Sequence, residues 1–117
     1  MLPKILNRGV DMVVKGNEVK EKVLPDGLRR KILAYGGSLM AVEVAFKKGD
    51  VGALHYHANE QVSYVLKGSF ELILDGRTHI IKAGDSFYAS QDIEHGAKAL
   101  EDSVILDIFT PQRVDFL

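Results

Sequence analysis

The chain has no cysteine, which excludes both a disulfide frame and a thiolate site. It has little net charge, −1 at pH 7, and its pI is about 6.4. So even a balance gives no electrostatic footprint for nucleic acid or an anionic membrane surface. No apolar run approaches the ~18–20 residues a membrane span needs. The start, MLPKILNRGVDMVV, has only short apolar pieces and lacks a secretory core. Low-complexity segments, long Pro/Ser linkers and strong repeats are missing, and nothing sustains a period of 3.6. No serine pairs obviously with a base, so nucleophilic catalysis is not expected. What remains is one soluble domain over residues 1–117, expected in the cytoplasm, with neither nucleic acid nor membrane as partner.

What the chain does have is short alternating segments between turn residues. Val10–Val14 reads as a first strand, and Glu18–Leu24 as a half-exposed one broken by Pro25-Asp26-Gly27. Leu28–Tyr35 and Leu39–Phe46 flank Gly36-Gly37-Ser38 as a hairpin. In the second of these, Met40, Val42, Val44 and Phe46 share a face, and Glu43 is expected to point to solvent. Further strands are expected at Gln61–Leu66, Ser69–Leu74, Arg77–Lys82, Ser86–Ala89 and Ser103–Thr110. About nine short strands with turn signals every 8–12 residues predict an all-β sandwich or barrel.

The chemistry is concentrated in Gly49–Gly68, GDVGALHYHANEQVSYVLKG. His55 and His57 are two apart, the side-chain period of a strand, so both imidazoles are expected on one face. Gln61 has the same parity, and His95 arrives later from the loop Ser90–Glu94. An HxH pair alone is more often a surface or packing pair than a site. Three imidazoles and an amide oxygen together would suit a divalent transition metal such as Zn, Ni, Fe, Mn or Cu. The fourth histidine, His79, has no such company and reads as a surface residue.

Asp107 is the odd residue of the last strand, Val104-Ile105-Leu106-Asp107-Ile108-Phe109, which is otherwise apolar on both faces. A carboxylate there must be paired, hydrogen-bonded or shifted in pKa. Phe109 shares its face, and Arg113 follows beyond Pro111. Two accounts stay open. Either Asp107 and Arg113 form an ion pair that pins the C-terminus, or Asp107 is an acid–base in a cavity where Arg113 clamps an anionic substrate.

The chain resembles a small single-domain cupin, whose two motifs are G(x)5HxH(x)3–4E(x)6G and G(x)5PxG(x)2H(x)3N. Gly49, His55, His57 and Gly68 match the first, with Gln61 where glutamate is usual. Gly84 and His95 match the second, with Ser90 for the proline, Asp92 for the second glycine and Ala99 for the asparagine. Together the motifs span residues 49–99. The resemblance implies a double-stranded β-helix, the cupin jelly-roll barrel, with a metal held by His55, His57, Gln61 and His95.

A narrower likeness is to the pectin-degradation cupins that linearise unsaturated uronates. It rests on His57, Glu60 and Gln61, and on the tail residues Asp107, Phe109, Pro111, Arg113, Asp115, Phe116 and Leu117. It implies a metal-dependent enzyme that opens 4,5-unsaturated uronates to linear keto sugar acids. Asp107 and Arg113 would then be catalytic, and Phe109, Arg113 and Tyr64 would bind the sugar acid. Because this barrel hosts many functions, the alternatives are a metal-dependent dioxygenase or isomerase on another small molecule, and a non-catalytic sugar-binding cupin. Cupins are often dimers, and Val10, Met12, Val13 and Val14 could add an edge strand to a partner sheet.

Overall fold

Side-chain alternation along the strands decides this architecture, and the computed structural model describes it for residues 10–117. Ten strands follow one another: β1 (Lys22–Val23), β2 (Arg29–Gly36), β3 (Leu39–Phe46), β4 (Val51–His55), β5 (Glu60–Lys67), β6 (Ser69–Leu74), β7 (Arg77–Lys82), β8 (Ser86–Ala89), β9 (His95–Ala99) and β10 (Ser103–Thr110). They form two antiparallel sheets, ordered β1-β2-β3-β10-β5-β8 and β4-β9-β6-β7. From β3 onward every successive pair except β6–β7 crosses between the sheets, giving the jelly roll expected from the motifs. Among the described residues no helix is long and apolar enough to cross a membrane.

Inward residues of both sheets interlock. Leu28, Phe46, Val65, Phe70, Leu72, Ile81, Ala99 and Ile105 make one buried cluster, with the Phe46 and Phe70 rings edge to face at 4.9 Å. Met40, Val42 and Phe109 make a second, joined by Ile32 and Phe116. Each fully buried side chain of this kind contributes about 1.5–3 kcal/mol. Met40, Val42 and Phe46 do share the inner face, as the alternation in β3 predicts.

Three expectations need correction. Val10–Val14 forms no strand, and Val10, Met12 and Val13 are exposed. A short apolar run without a partner strand cannot satisfy its backbone as a ladder, and the chain instead reaches a 3-10 turn at Gly16–Glu18. Glu18–Leu24 shrinks to the two residues of β1, which pair with Arg29 and Arg30 before Asp26 and Gly27 turn the chain. Finally, the loop Ser90–Glu94 delivers His95 as expected, but into a strand, β9, that the expected set of strands lacks.

Gly68, the last glycine of the first motif, turns β5 into β6 at φ +82°. A Cβ there would collide with the Ser103 Oγ and lie 2.7 Å from the Asp102 carbonyl oxygen. That Ser103 hydroxyl accepts the Ser69 N–H at 3.0 Å, so it cannot retreat freely. Gly68→Ala is expected to destabilise the fold by more than about 1 kcal/mol, read as a lower midpoint in urea with unchanged slope.

Candidate active site

β4 and β9 bring the first two imidazoles together, because His55 pairs directly with His95 in their register. The approach is close. A Cβ on Gly96 would sit 2.9 Å from both the Gly52 carbonyl oxygen and the Leu54 nitrogen, so only glycine lets β9 lie this near β4. His57 falls in the loop just past β4 rather than on its face. It is held by a bond from the Asp92 N–H to its own carbonyl, 2.8 Å. Asp92 takes φ +61°, the left-handed backbone that the usual glycine of the second motif would supply. The ring centroids lie 5.6 Å (His55–His57), 4.5 Å (His55–His95) and 5.1 Å (His57–His95) apart. One nitrogen from each lies within 4.8 Å of the others, so the triad could hold a metal ion.

Hydrogen bonds fix which nitrogen that is. The Nδ1–H of His55 donates to the Ala53 carbonyl at 2.8 Å, that of His57 to Asn59 at 3.0 Å, and that of His95 to Ile93 at 2.8 Å. A carbonyl can only accept, so each Nδ1 carries a proton, and in the neutral ring Nε2 is then the nitrogen with the lone pair. Burial, followed by the Arg113 charge, lowers the His57 pKa, and burial lowers that of His95, which keeps both rings neutral.

Gln61 completes the set. Its Nε2 donates to the Ser63 hydroxyl at 2.7 Å and to Asp107 Oδ1 at 3.3 Å, which turns its Oε1 toward the histidines. That oxygen lies 3.0 Å from His57 Nε2. Two lone-pair acceptors so close repel each other unless a cation sits between or beside them. The buried His95 Nε2 also has no hydrogen-bond partner. Four unprotonated donors facing one another, one of them orphaned, fit a divalent cation.

Asp107 lies directly behind. β10 pairs with β5 so that Asp107 faces Ser63 and Phe109 faces Gln61. The Ser63 hydroxyl donates to Asp107 Oδ1 at 2.6 Å. Burial pushes the Asp107 carboxyl up to about 6, against the opposing pull of the Ser63 hydrogen bond and of the His55 and Arg113 charges. Beyond β10 the tail folds back across the mouth. The Asn59 amide donates to the Pro111 carbonyl at 2.6 Å and the Gln112 amide to the Gly37 carbonyl at 2.9 Å. Phe116 stacks edge to face on Phe109 at 5.9 Å, with the Arg113 guanidinium 4.3 Å from the Phe116 ring. The half-open cavity is about 350 Å³, lined by His55, His95, Gln61, Asp107, Phe109 and Arg113 among others. A wider groove of about 530 Å³ beside the β2–β3 hairpin has, among the described residues, no imidazole or cationic side chain in its walls.

The sequence profile described as Cupin domain matches residues 42–109, which is more than half of the chain. This chain belongs to the cupin family. It is 42% identical over 103 residues to the pectin degradation protein KdgF of Dickeya dadantii, covering 86% of this chain and 94% of that protein. The structure of KdgF from Halomonas sp. superposes with a TM-score of 0.88 at 39% identity, over 92% of this chain and 100% of the other. An RmlC-like cupin from Shewanella frigidimarina gives the same TM-score at 35% identity, over 92% and 97% of the two chains.

Of the residues singled out in this cupin's sequence, seven come together around the cavity: His55, His57, Gln61, His95, Asp107, Phe109 and Arg113. Tyr64 does not join them. On β5 the inward positions are Gln61, Ser63 and Val65, so alternation turns Tyr64 to the exposed outer face. The Asp107–Arg113 ion pair is also not formed. Arg113 donates from Nε and Nη2 to the two oxygens of Asp115, at 3.0 and 2.8 Å, and Asp107 is held by Ser63 instead. The sequence reading missed Ser63 and Arg30, and it quoted Phe116 in the tail motif without giving it a place in the site. The signal for the first was its shared parity with Gln61; for Arg30 it was the run Leu28, Arg30, Ile32 on alternate positions.

Proposed function

We propose that this cupin opens the ring of 4,5-unsaturated uronates to linear keto sugar acids. One observation carries the reading: a buried carboxyl, Asp107, fixed by Ser63 and Gln61, shares a cavity with a cluster of neutral metal donors and a cationic mouth. The likeness to a protein named for pectin degradation supports an acidic sugar as the substrate.

His55, His57, Gln61 and His95 would hold one divalent transition ion, Zn, Ni, Fe, Mn or Cu. Bound there, it supplies a positive charge that polarises substrate oxygens; four neutral donors leave that charge undiminished. Every other task falls to the chain. Phe109 and Phe116 form the apolar wall against which a sugar ring packs, and the positive charge of the mouth attracts the acid group. Asp107 moves the protons. The reaction is an isomerisation: the anomeric hydroxyl loses a proton and the bond from the anomeric carbon to the ring oxygen breaks. The ring oxygen becomes the ketone, and the alkene carbon β to the carboxylate gains a proton. No oxidant or reductant is needed. Burial, which raises this carboxyl to about 6 in the metal-free chain, favours its holding a proton it can pass on.

The test is the reaction in D2O. Product formed faster than in a protein-free control should carry deuterium at the former alkene carbon. A non-catalytic binder gives only the control rate, and an oxygenase consumes dissolved oxygen; either result ends the reading. We place the enzyme in the cytoplasm as a homodimer, in which a second copy covers the exposed apolar row Val62, Tyr64 and Leu66 on β5 beside Tyr88 on β8. Sedimentation equilibrium at micromolar concentration should return twice the 12.9 kDa chain mass, and a monomer mass removes that assignment.

A further inference from the structure

Arg30 is an inward-facing cation to which the reading above gives no specific task. In the β2–β3 register it lies opposite Val44, as Ile32 lies opposite the fully buried Val42. It therefore projects from the inner face into the cavity it helps line. Arg29 points the other way and meets Glu21 at 3.9 Å. Arg30 is half-buried, and a guanidinium nitrogen shielded from water costs free energy unless an acceptor meets it. Among the described residues Arg30 forms no ion pair, and its Nε is buried without a hydrogen-bond partner. Burial lowers its pKa, and only the charge of Asp115 works against that.

Arg113, by contrast, already holds an anion. Its fork is closed bidentately on Asp115, at 3.0 and 2.8 Å. Both guanidinium groups lie against one ring, Arg30 at 4.0 Å and Arg113 at 4.3 Å from the Phe116 centroid. Two cations and one carboxylate, Asp115, thus meet at Phe116; of the cavity's other carboxylates Asp26 accepts the Leu28 N–H at 3.1 Å and Asp107 is held by Ser63, so the charge without a partner belongs to Arg30.

We propose that Arg30 receives the substrate's carboxylate and sets the preference for an acid sugar, while Arg113 is a positioning residue held by Asp115 and Phe116. This rests on the uronate reading and deepens it, because it assigns the acid group to one side chain on β2 rather than to the tail or to the metal.

The experiment is calorimetric binding of galacturonate, which is saturated and so not consumed, against its methyl ester. It uses the full chain, once loaded with zinc and once stripped with chelator. Wild type should favour the acid by at least about tenfold, as expected for a charge-assisted hydrogen bond of 1.5–3 kcal/mol. Arg30→Gln should erase that preference, Arg30→Lys should restore part of it, and Arg113→Gln should weaken both ligands while keeping it. Unchanged circular dichroism and zinc stoichiometry show that the variants are folded. The proposal is overturned if wild type shows no preference, if Arg30→Gln keeps it, or if chelation alone removes it. An Arg30-dependent preference in a protein that does not consume unsaturated uronate upholds the proposal and ends the ring-opening reading.

Discussion

Asp107→Asn should reduce turnover of unsaturated galacturonate by about 10²–10⁴-fold, the usual share of a positioned acid–base group. Zinc stoichiometry and the circular dichroism spectrum should stay as in wild type. Asparagine keeps an acceptor oxygen for the Ser63 hydroxyl, so the local geometry survives. What it loses is the proton. The same substitution should stabilise the metal-free protein at pH 8. In the folded chain the carboxyl is raised from 3.8 to about 6, so the folded state binds the proton more tightly than the unfolded one. Stability therefore falls as pH rises from about 4 to 6, and the full penalty, at most about 3 kcal/mol, applies above that window. Removing the carboxylate removes the penalty, and the advantage of the variant should shrink as pH falls toward 3.8 and vanish well below it, where both states of the wild type are protonated. The metal-free state is required, since a cation beside Gln61 draws the carboxyl back down. Urea titrations at pH 4, 6 and 8 would show it. A variant that turns over normally takes the proton-transfer role away from Asp107.

His55→Ala should lower metal affinity by at least about 100-fold. Deleting even a hydrogen-bond partner of a ligand costs about 10–100-fold, and a ligand itself costs more. The His55 ring is exposed and packs little, so fold stability without metal should change by less than about 1 kcal/mol. Thermal melts separate the two effects. At a zinc concentration 100 times the wild-type dissociation constant, binding adds about 2.7 kcal/mol to the folded state. Wild type should show that gain and His55→Ala should lose almost all of it. His79→Ala, on the exposed face of β7, is the control and should behave as wild type. Equal zinc-dependent gains in all three proteins would dissolve the ligand set.

How far the sequence reached depends on which physical signal each residue carries. Strands β3, β5, β6, β7, β8 and β10 were legible because alternation and turn glycines mark both their faces and their ends. The clustering of three imidazoles beside Gln61 was legible through motif spacing, although His57 reaches the cluster from a loop and not from a strand face. Asp107 stood out as one charge in an apolar strand. Val10–Val14 was misread because a short apolar run says nothing about whether a neighbour exists to pair with it. Tyr64 was misplaced although its parity already opposed Gln61. Arg113's partner depends on how the tail folds after Pro111, which spacing does not encode. The positive φ at Asp92 explains why losing a motif glycine left the loop intact.

The ring-opening claim is tested most directly by following the ultraviolet absorbance of the conjugated double bond in unsaturated galacturonate. Wild-type protein loaded with zinc should bleach it well above the protein-free rate, and the same protein after chelation should return to that rate. Bleaching that survives complete metal removal, or binding of the sugar with no bleaching at all, would contradict the account.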